Sequence, residues 1–119
     1  MPRFVLLEHV GAPDDPAGRH FDLLLEEGQA CRSWRLAAIP VAGHPVAAVG
    51  LQPHRLAWLD HVAGPVSGGR GHARRVDAGS YEVVESDEPS GRLCVVLGGS
   101  LLGGRLTIAG GEAALETMV

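Results

Sequence analysis

The chain has 119 residues, of which 45% are hydrophobic and 20% are charged, and its formal net charge is −4. A chain of this length supports one hydrophobic core, and this composition is typical of a folded domain, not of a disordered chain. The negative charge argues against extended non-specific binding of duplex DNA, because such binding neutralises many phosphates with an excess of basic side chains. A net negative charge is compatible with recognition of one terminal phosphate group.

The distribution of apolar residues and cysteines bears on the cellular compartment. No apolar run approaches the ~20 residues that a membrane-spanning helix needs, and the first residues lack the pattern of a signal peptide. We therefore expect a cytoplasmic protein that makes no membrane contact. Cys31 and Cys94 lie within apolar runs, so we expect both to be buried free thiols.

Short apolar runs separated by turn-forming residues predict an all-β fold. The chain contains 17 glycines and 8 prolines, which is typical of many short strands joined by tight turns in an antiparallel barrel or sandwich. We expect a single domain over residues 1–119: a compact antiparallel β-barrel over residues 1–109, and a tail over residues 110–119 that is disordered or forms a short helix. The expected strands cover residues 3–9, 20–26, 30–37, 46–51, 80–85, 92–97 and 105–109.

The second and third strands are expected to form a hairpin with a two-residue turn at residues 27 and 28. The pairs expected across this hairpin are Asp22 with Ser33, His20 with Arg35, and Phe21 with Trp34. Because side chains alternate between the two faces of a strand, the histidine, aspartate, serine and arginine share a polar face, and the aromatic residues share a core face.

Two histidines and an aspartate are predicted to meet at the ends of the first two strands. His9 ends the first strand, and His20 and Asp22 lie two positions apart on the second, so that they share one face. Two imidazoles and one carboxylate form a ligand set for a divalent transition metal, with open coordination positions left over. The alternative is that these histidines are hydrogen-bonded structural residues.

Several sequence strings are similar to those of one known family. They are EH at residues 8–9, HFDLLLE at 20–26, RSW at 32–34, PHRLAWLD at 53–60, GPVSGGRG at 64–71 and DAGSYE at 77–82. In combination they resemble the 3′-phosphoesterase domain of bacterial DNA ligase D, a domain that also exists as stand-alone proteins. The resemblance extends from Arg3 to about Ile108.

The resemblance implies a function in double-strand break repair. It implies hydrolysis of phosphate esters at DNA or RNA 3′ ends, with His9, His20 and Asp22 as metal ligands. Manganese is the expected metal, with zinc or iron as alternatives. The implied partners are DNA or RNA 3′ ends and the ligase and polymerase of end joining. His54 is implied to hold the substrate phosphate and to protonate the leaving oxygen.

The chain departs from this family at positions that bind phosphate. Leu24 stands where the family has arginine, Ala38 aligns near a family lysine, and Trp58 replaces a tyrosine. We expect Arg35 to restore a guanidinium to the metal face. Ser33 on the same face is a further phosphate-binding candidate.

A second group of basic side chains follows a glycine-rich loop. The loop at residues 64–71 lacks the lysine and the strand-to-helix context of a P-loop. We interpret it as a turn that brings Arg70, His72, Arg74 and Arg75 to one edge, where Arg70 and Arg74 could contact a nucleic-acid backbone. The alternative is a solvated face that nearby acids balance.

Two other functional classes remain open from the sequence. The lost arginine and lysine favour a catalytically weakened module that binds metal or DNA ends within a repair assembly. The ligand set alone is also compatible with an iron oxygenase of the two-histidine, one-carboxylate type. The identity of the bound metal separates these classes.

Overall fold

The strands of this protein form one antiparallel sheet that closes into a ring. The computed structural model describes residues 1–117, so Met118 and Val119, which belong to the predicted tail, lie outside the described residues. The elements are β1 (Arg3–Val10), β2 (Arg19–Glu27), β3 (Ala30–Leu36), β4 (Val46–His54), a 3₁₀ helix (Leu56–Asp60), β5 (Ala63–Pro65), β6 (His72–Asp87), β7 (Arg92–Gly99), β8 (Gly103–Ala109) and β9 (Glu112–Glu116).

The ring closes because β6 is long enough to pair with β1 as well as with β5 and β7. The strand order is β1-β2-β3-β4-β9-β8-β7-β6-β5, and β1 also pairs with β6. The first half of β6 lies beside β1, and the second half lies beside β7. The radius of gyration, 13.5 Å, is that of a compact domain of this size. The all-β, antiparallel prediction is confirmed.

The prediction for the tail was wrong in part, because the sheet continues past residue 109. Residues 112–116 form β9, which pairs along β8 and, through Val46 and Ala47, with β4. Gly110 and Gly111 have φ angles of 57° and 79°, which suits a two-residue hairpin turn that needs positive φ at both central positions. The last strand therefore helps to close the ring.

The hairpin of β2 and β3 has a different register from the predicted one. The turn consists of Gly28 and Gln29, and Glu27 pairs with Ala30. Gly28 has a φ of 65°, and a glycine at the first central position is the mark of a type II′ turn. The predicted pairs were therefore wrong by two positions, and the observed pairs are Asp22 with Arg35, Leu24 with Ser33, Phe21 with Leu36, and Leu23 with Trp34. Because the shift is even, every side chain keeps its predicted face.

The main core fills the inside of the ring. The predicted core residues of the hairpin all lie there, together with apolar side chains of β1, β6, β7, β8 and β9. The hairpin residues in this core are Phe21, Leu23, Leu25, Trp34 and Leu36.

A second, smaller core lies on the outer face of β1, β2 and β3. It contains Val5, Leu7, Leu24, Cys31 and Leu59. Leu59 belongs to the 3₁₀ helix, which covers this part of the outer face. The polar residues of the same strands continue the outer face beyond this cover, so the candidate site lies outside the ring.

Two cysteines and one aspartate are buried in the fold and do not belong to the candidate site. Cys31 and Cys94 are buried free thiols, as predicted, and burial raises the pKa of the Cys31 thiol. Asp77, which is 5% exposed, accepts hydrogen bonds from the backbone N–H groups of Ser100, Leu101 and Leu102 at 3.0, 3.1 and 2.7 Å. Its carboxylate therefore holds the turn between β7 and β8.

Candidate metal centre and adjoining cleft

The structure brings His9, His20 and Asp22 together on the outer face. His9 and His20 are directly opposite each other in the pairing of β1 and β2, and Asp22 follows two residues later on the same face. One potential ligand atom from each of the three residues lies within 4.8 Å of the other two. His20 and Asp22 are 3% and 6% exposed, so the group is largely shielded from water.

Neighbouring acceptors fix which nitrogen of each imidazole carries the proton. Nε2 of His9 lies 2.7 Å from the carbonyl oxygen of Arg70, and a carbonyl can only accept, so Nε2 is the donor. Nδ1 of His20 lies 2.8 Å from the Asp15 carboxylate, so Nδ1 is the donor there. In the neutral imidazoles the unprotonated nitrogens are therefore Nδ1 of His9 and Nε2 of His20.

These two unprotonated nitrogens both face the same carboxylate. Nδ1 of His9 is 3.3 Å from Oδ2 of Asp22, and Nε2 of His20 is 3.2 Å from Oδ1. The second contact lacks hydrogen-bond geometry, and both of its atoms are buried without a hydrogen-bond partner among the described residues. Lone pairs that converge in this way repel one another unless a cation lies among them, so the donor set fits a divalent metal ion.

A loop between β1 and β2 supplies a residue that the sequence interpretation missed. A hydrogen bond of 3.0 Å from the N–H of Gly11 to the carbonyl of Gly18 closes the base of this loop, and Asp15 folds back onto His20. The hydrogen bond from His20 holds the pKa of the Asp15 carboxyl below its usual value. A carboxylate behind a ligating histidine fixes its tautomer and orientation. The sequence shows only an Asp/Pro/Gly-rich loop, which gives no indication of the path that brings Asp15 back.

The glycine-rich loop packs closely against the end of β1 and contacts His9. Gly71 has a φ of 88°, and a Cβ at this position would collide with the backbone of Val10 and Gly11. Glycine is therefore required for the loop to run beside the end of β1. This packing places the Arg70 carbonyl within reach of His9. The loop thus contributes its backbone to the site.

A cleft of about 580 Å³ opens beside the candidate metal centre. His9 and Asp22 form one side of it, and Arg35 and His54 also line it. The remaining wall is mostly apolar. Clefts of this volume hold small ligands of nucleotide size.

Arg35 points into this cleft from β3. It lies opposite Asp22 in the strand pairing, not opposite His20 as predicted. One of its terminal nitrogens is 3.3 Å from the Asp14 carboxylate, whose side chain is 75% exposed. The Nε atom of Arg35 is buried and has no hydrogen-bond partner within residues 1–117. The guanidinium therefore retains capacity to bind an anion in the cleft.

His54 reaches the cleft because β4 is longer than predicted. The register between β3 and β4 shifts between Cys31 and Ser33, and Pro53, which cannot donate a backbone hydrogen bond, lies in this irregular stretch of β4. Nδ1 of His54 lies 3.2 Å from the carbonyl of Gln52, so Nδ1 is the donor. Nε2 is left to interact with a ligand.

The other predicted phosphate-binding residues do not converge on the cleft in the same way. The Ser33 hydroxyl donates to the Cys31 carbonyl at 3.1 Å and is buried. Arg70 lines the cleft, but its guanidinium donates to the carbonyl and hydroxyl oxygens of Ser67 at 2.7 and 3.0 Å. Arg74 binds Glu8 at 2.9 Å and is not part of the cleft wall.

Glu8 neutralises Arg19 as well as Arg74. Burial alone would raise the pKa of the Glu8 carboxyl, but the hydrogen bond from Arg19 and the charge of Arg74 hold it below its usual value. The basic cluster predicted near the glycine-rich loop is thus partly compensated by an acid on β1.

The three residues that differ from the pattern of the resembled family lie in different surroundings. Leu24 is fully buried in the second core, and Ala38 is exposed after β3. Trp58 is half-buried on the 3₁₀ helix and lines the cleft. Of the three, therefore, only Trp58 belongs to the candidate site.

Comparisons with known proteins do not assign the chain to a family. No protein-family model matches it, and no curated protein matches it either. Among the described residues, the structure contains no helix with the length and apolar character needed to cross a membrane.

Proposed function

We propose that this chain is a metal-dependent phosphoesterase that acts on 3′ ends of DNA or RNA in double-strand break repair. The observation that carries the proposal is the buried carboxylate of Asp22, which faces the unprotonated nitrogens of two histidines. Groups suited to a phosphate, the Arg35 guanidinium and the His54 imidazole, line the same cleft. The resemblance to the ligase D phosphoesterase domain supplies the choice of 3′ ends.

The ligands of the proposed metal are Nδ1 of His9, Nε2 of His20 and a carboxylate oxygen of Asp22. Imidazole and carboxylate ligands without a thiolate suit manganese, and they also accept zinc or iron. A bound divalent ion would withdraw electron density from the phosphoryl oxygens of the substrate and offset their negative charge.

His54 and Arg35 have distinct roles in the proposed hydrolysis. Water attacks phosphorus, the bond between phosphorus and the 3′ oxygen breaks, and the 3′ oxygen receives a proton. His54 gives that proton from Nε2 in its imidazolium form, whose Nδ1–H donates to the Gln52 carbonyl, and the proton lost by the attacking water leaves with the phosphate. Arg35 binds the phosphoryl oxygens, and its charge stabilises the transition state.

The second candidate is a module that binds metal or DNA ends without turnover. It is favoured by Leu24 and Ala38, because both replace basic residues of the resembled family. The loss of a group that stabilises developing charge costs about 3 kcal/mol of transition-state stabilisation. Arg35 compensates for this loss only if its guanidinium leaves Asp14 for the substrate.

A phosphatase assay with a metal-binding control separates these candidates. The substrate is a primer-template with a 3′-phosphate, supplied with manganese, and release of phosphate is measured for the wild type and for His20→Ala. His44→Ala is the matched control, because His44 is exposed in the loop before β4. We expect turnover by the wild type and His44→Ala and none by His20→Ala.

The other outcomes identify the alternative classes. Binding of the DNA end without phosphate release would indicate the binding module. Iron as the metal that copurifies, together with an inactive phosphatase assay, would indicate an oxygenase.

A further inference from the structure

We propose that the cleft is a subsite for the 3′-terminal nucleoside, with the base packed against Trp58. The substrate is then recognised by its last nucleotide, and a single-stranded 3′ end is accepted as well as a recessed end in a duplex. This inference rests on the proposed function and specifies its substrate.

The first support is the apolar wall of the cleft. Leu51, Pro53, Trp58 and Val66 line this wall, and an apolar wall with a flat aromatic side chain suits a nucleobase. Phosphate-binding groups line the same cleft. A phosphate at the metal centre and its attached nucleoside along the wall therefore fit within one cavity of about 580 Å³.

The second support is the way in which Trp58 is held. Its ring contacts the imidazole of His61 at a centroid distance of 4.8 Å, and Nε2 of His61 bonds to the Ala73 carbonyl at 2.8 Å. The next residue, Leu59, is 3% exposed and anchors the 3₁₀ helix in the second core. The indole is thus fixed before a ligand arrives, which lowers the entropic cost of stacking.

The third support is the distribution of arginines that are available to phosphates. Outside the cleft, several arginines are already paired with carboxylates: Arg3 with Asp60, Arg19 and Arg74 with Glu8, and Arg92 with Glu85. Arg55 and Arg70 line the cleft and form no ion pair with a carboxylate among the described residues; Arg32, Arg75 and Arg105 form none either but lie outside the cleft. Two arginines without a carboxylate partner therefore adjoin the proposed subsite, beside Arg35, whose ion pair with Asp14 is exposed. This local charge suits the phosphate of one terminal nucleotide.

The test compares four substrates that carry the same 3′-phosphate. They are a single-stranded oligonucleotide, the same strand annealed as a recessed primer, a nucleoside 3′-monophosphate, and the oligonucleotide with an abasic terminal sugar. With the manganese-loaded full chain, we expect kcat/KM for the first three to agree within about threefold, and the abasic end to be roughly tenfold poorer, as for loss of one stacked base. Trp58→Ala should remove the difference between the normal and abasic ends, whereas Trp58→Phe should retain most of it.

A binding measurement gives a readout that does not depend on turnover. Trp34→Phe leaves Trp58 as the only tryptophan, because the chain contains two, and Trp34 lies in the main core away from the cleft. Titration of this variant, without metal, with a nucleoside 3′-monophosphate should quench the fluorescence of Trp58. Ribose 3-phosphate, which lacks a base, should quench it much less.

The possible failures are distinguishable. Equal rates on normal and abasic ends, or a preference of more than tenfold for the duplex, would overturn the nucleoside subsite and leave the phosphoesterase proposal standing. Absence of turnover on every substrate would reject the proposed function, and the fluorescence titration would then decide the subsite alone. If Trp58→Ala fails to fold, Trp58→Phe and the abasic substrate still decide the outcome.

Discussion

The Asp15 carboxylate accepts a hydrogen bond of 2.8 Å from Nδ1 of His20, and this contact determines that Nε2 is the nitrogen that faces Asp22. Asp15 lies in a loop, whereas His20 and Asp22 lie on β2. The geometry of the candidate metal centre thus depends on a residue outside the strands that provide the ligands.

Removal of this contact should weaken metal binding without abolishing it. We expect Asp15→Ala to lower manganese affinity by about 10- to 100-fold, as is typical when a histidine ligand loses its supporting carboxylate. Isothermal titration calorimetry measures the affinity directly. Asp14→Ala is the control, because Asp14 is the neighbouring acid but contacts Arg35, not a ligand. Equal effects of the two substitutions would contradict the role assigned to Asp15.

Arg35 should contribute to turnover and not to metal binding. We expect Arg35→Ala to reduce kcat/KM for a 3′-phosphate substrate by about 100- to 1000-fold, since it removes a charged donor from the developing phosphoryl charge. Manganese affinity should remain as in the wild type. Arg92→Ala, which breaks an exposed ion pair with Glu85 between β7 and β6, away from the residues that line the cleft, should leave turnover unchanged. Unchanged turnover in Arg35→Ala would remove this residue from the mechanism.

Asp77 should be important for stability. Asp77→Ala leaves three backbone N–H groups of the turn between β7 and β8 without their acceptor, and we expect the free energy of unfolding to fall by about 3 kcal/mol. Urea denaturation at neutral pH measures this difference. Glu85→Ala, which removes only an exposed ion pair, should cost less than about 1 kcal/mol. A small effect of Asp77→Ala would mean that water replaces the carboxylate.

Tyr81 should make stability sensitive to alkaline pH. Burial, with the charges of Glu27 and Glu26 nearby, raises the pKa of Tyr81, and its hydroxyl donates to the Glu26 carbonyl at 2.6 Å. Because the folded-state pKa lies above the unfolded value of about 10, this contribution is complete below pH ~10 and is lost as the pH rises through the folded-state pKa.

The matching experiment uses the fact that Tyr81 is the only tyrosine. Absorbance at tyrosinate wavelengths should show that Tyr81 ionises at a higher pH in the folded protein than in the unfolded chain. Tyr81→Phe should lose about 1 kcal/mol of stability at neutral pH and should show a smaller decline between neutral and strongly alkaline pH. Ionisation of Tyr81 at the same pH in both states would argue against its burial.

The faces of the strands were predictable from the sequence because side chains alternate with a period of two. Phe21, Leu23 and Leu25 point to the main core, and His20 and Asp22 point to the other face. The register was not predictable to the residue, since it depended on which residues beside Gly28 formed the turn. The error moved Arg35 from His20 to Asp22 without changing its face.

Features that depend on distant parts of the chain could not be predicted in the same way. β9 contains alanine, leucine and glutamate, which favour helix, and it is a strand because it pairs with β8 and β4. The second core could not be predicted from the sequence of β2, because the residue that packs over Leu24 comes from the distant 3₁₀ helix. The contact between Asp15 and His20 could not be predicted either, because it depends on the path of the whole loop between β1 and β2.

The central claim is that His9, His20 and Asp22 share one divalent cation. The most direct measurement is a manganese titration of the metal-free full chain, followed by electron paramagnetic resonance, for the wild type and for Asp22→Ala. We expect one tightly bound ion per chain in the wild type and none in Asp22→Ala, with the sheet retained by circular dichroism in both. A wild-type chain that binds neither manganese nor zinc nor iron, or an Asp22→Ala chain that binds manganese equally well, would contradict a shared cation at these three residues.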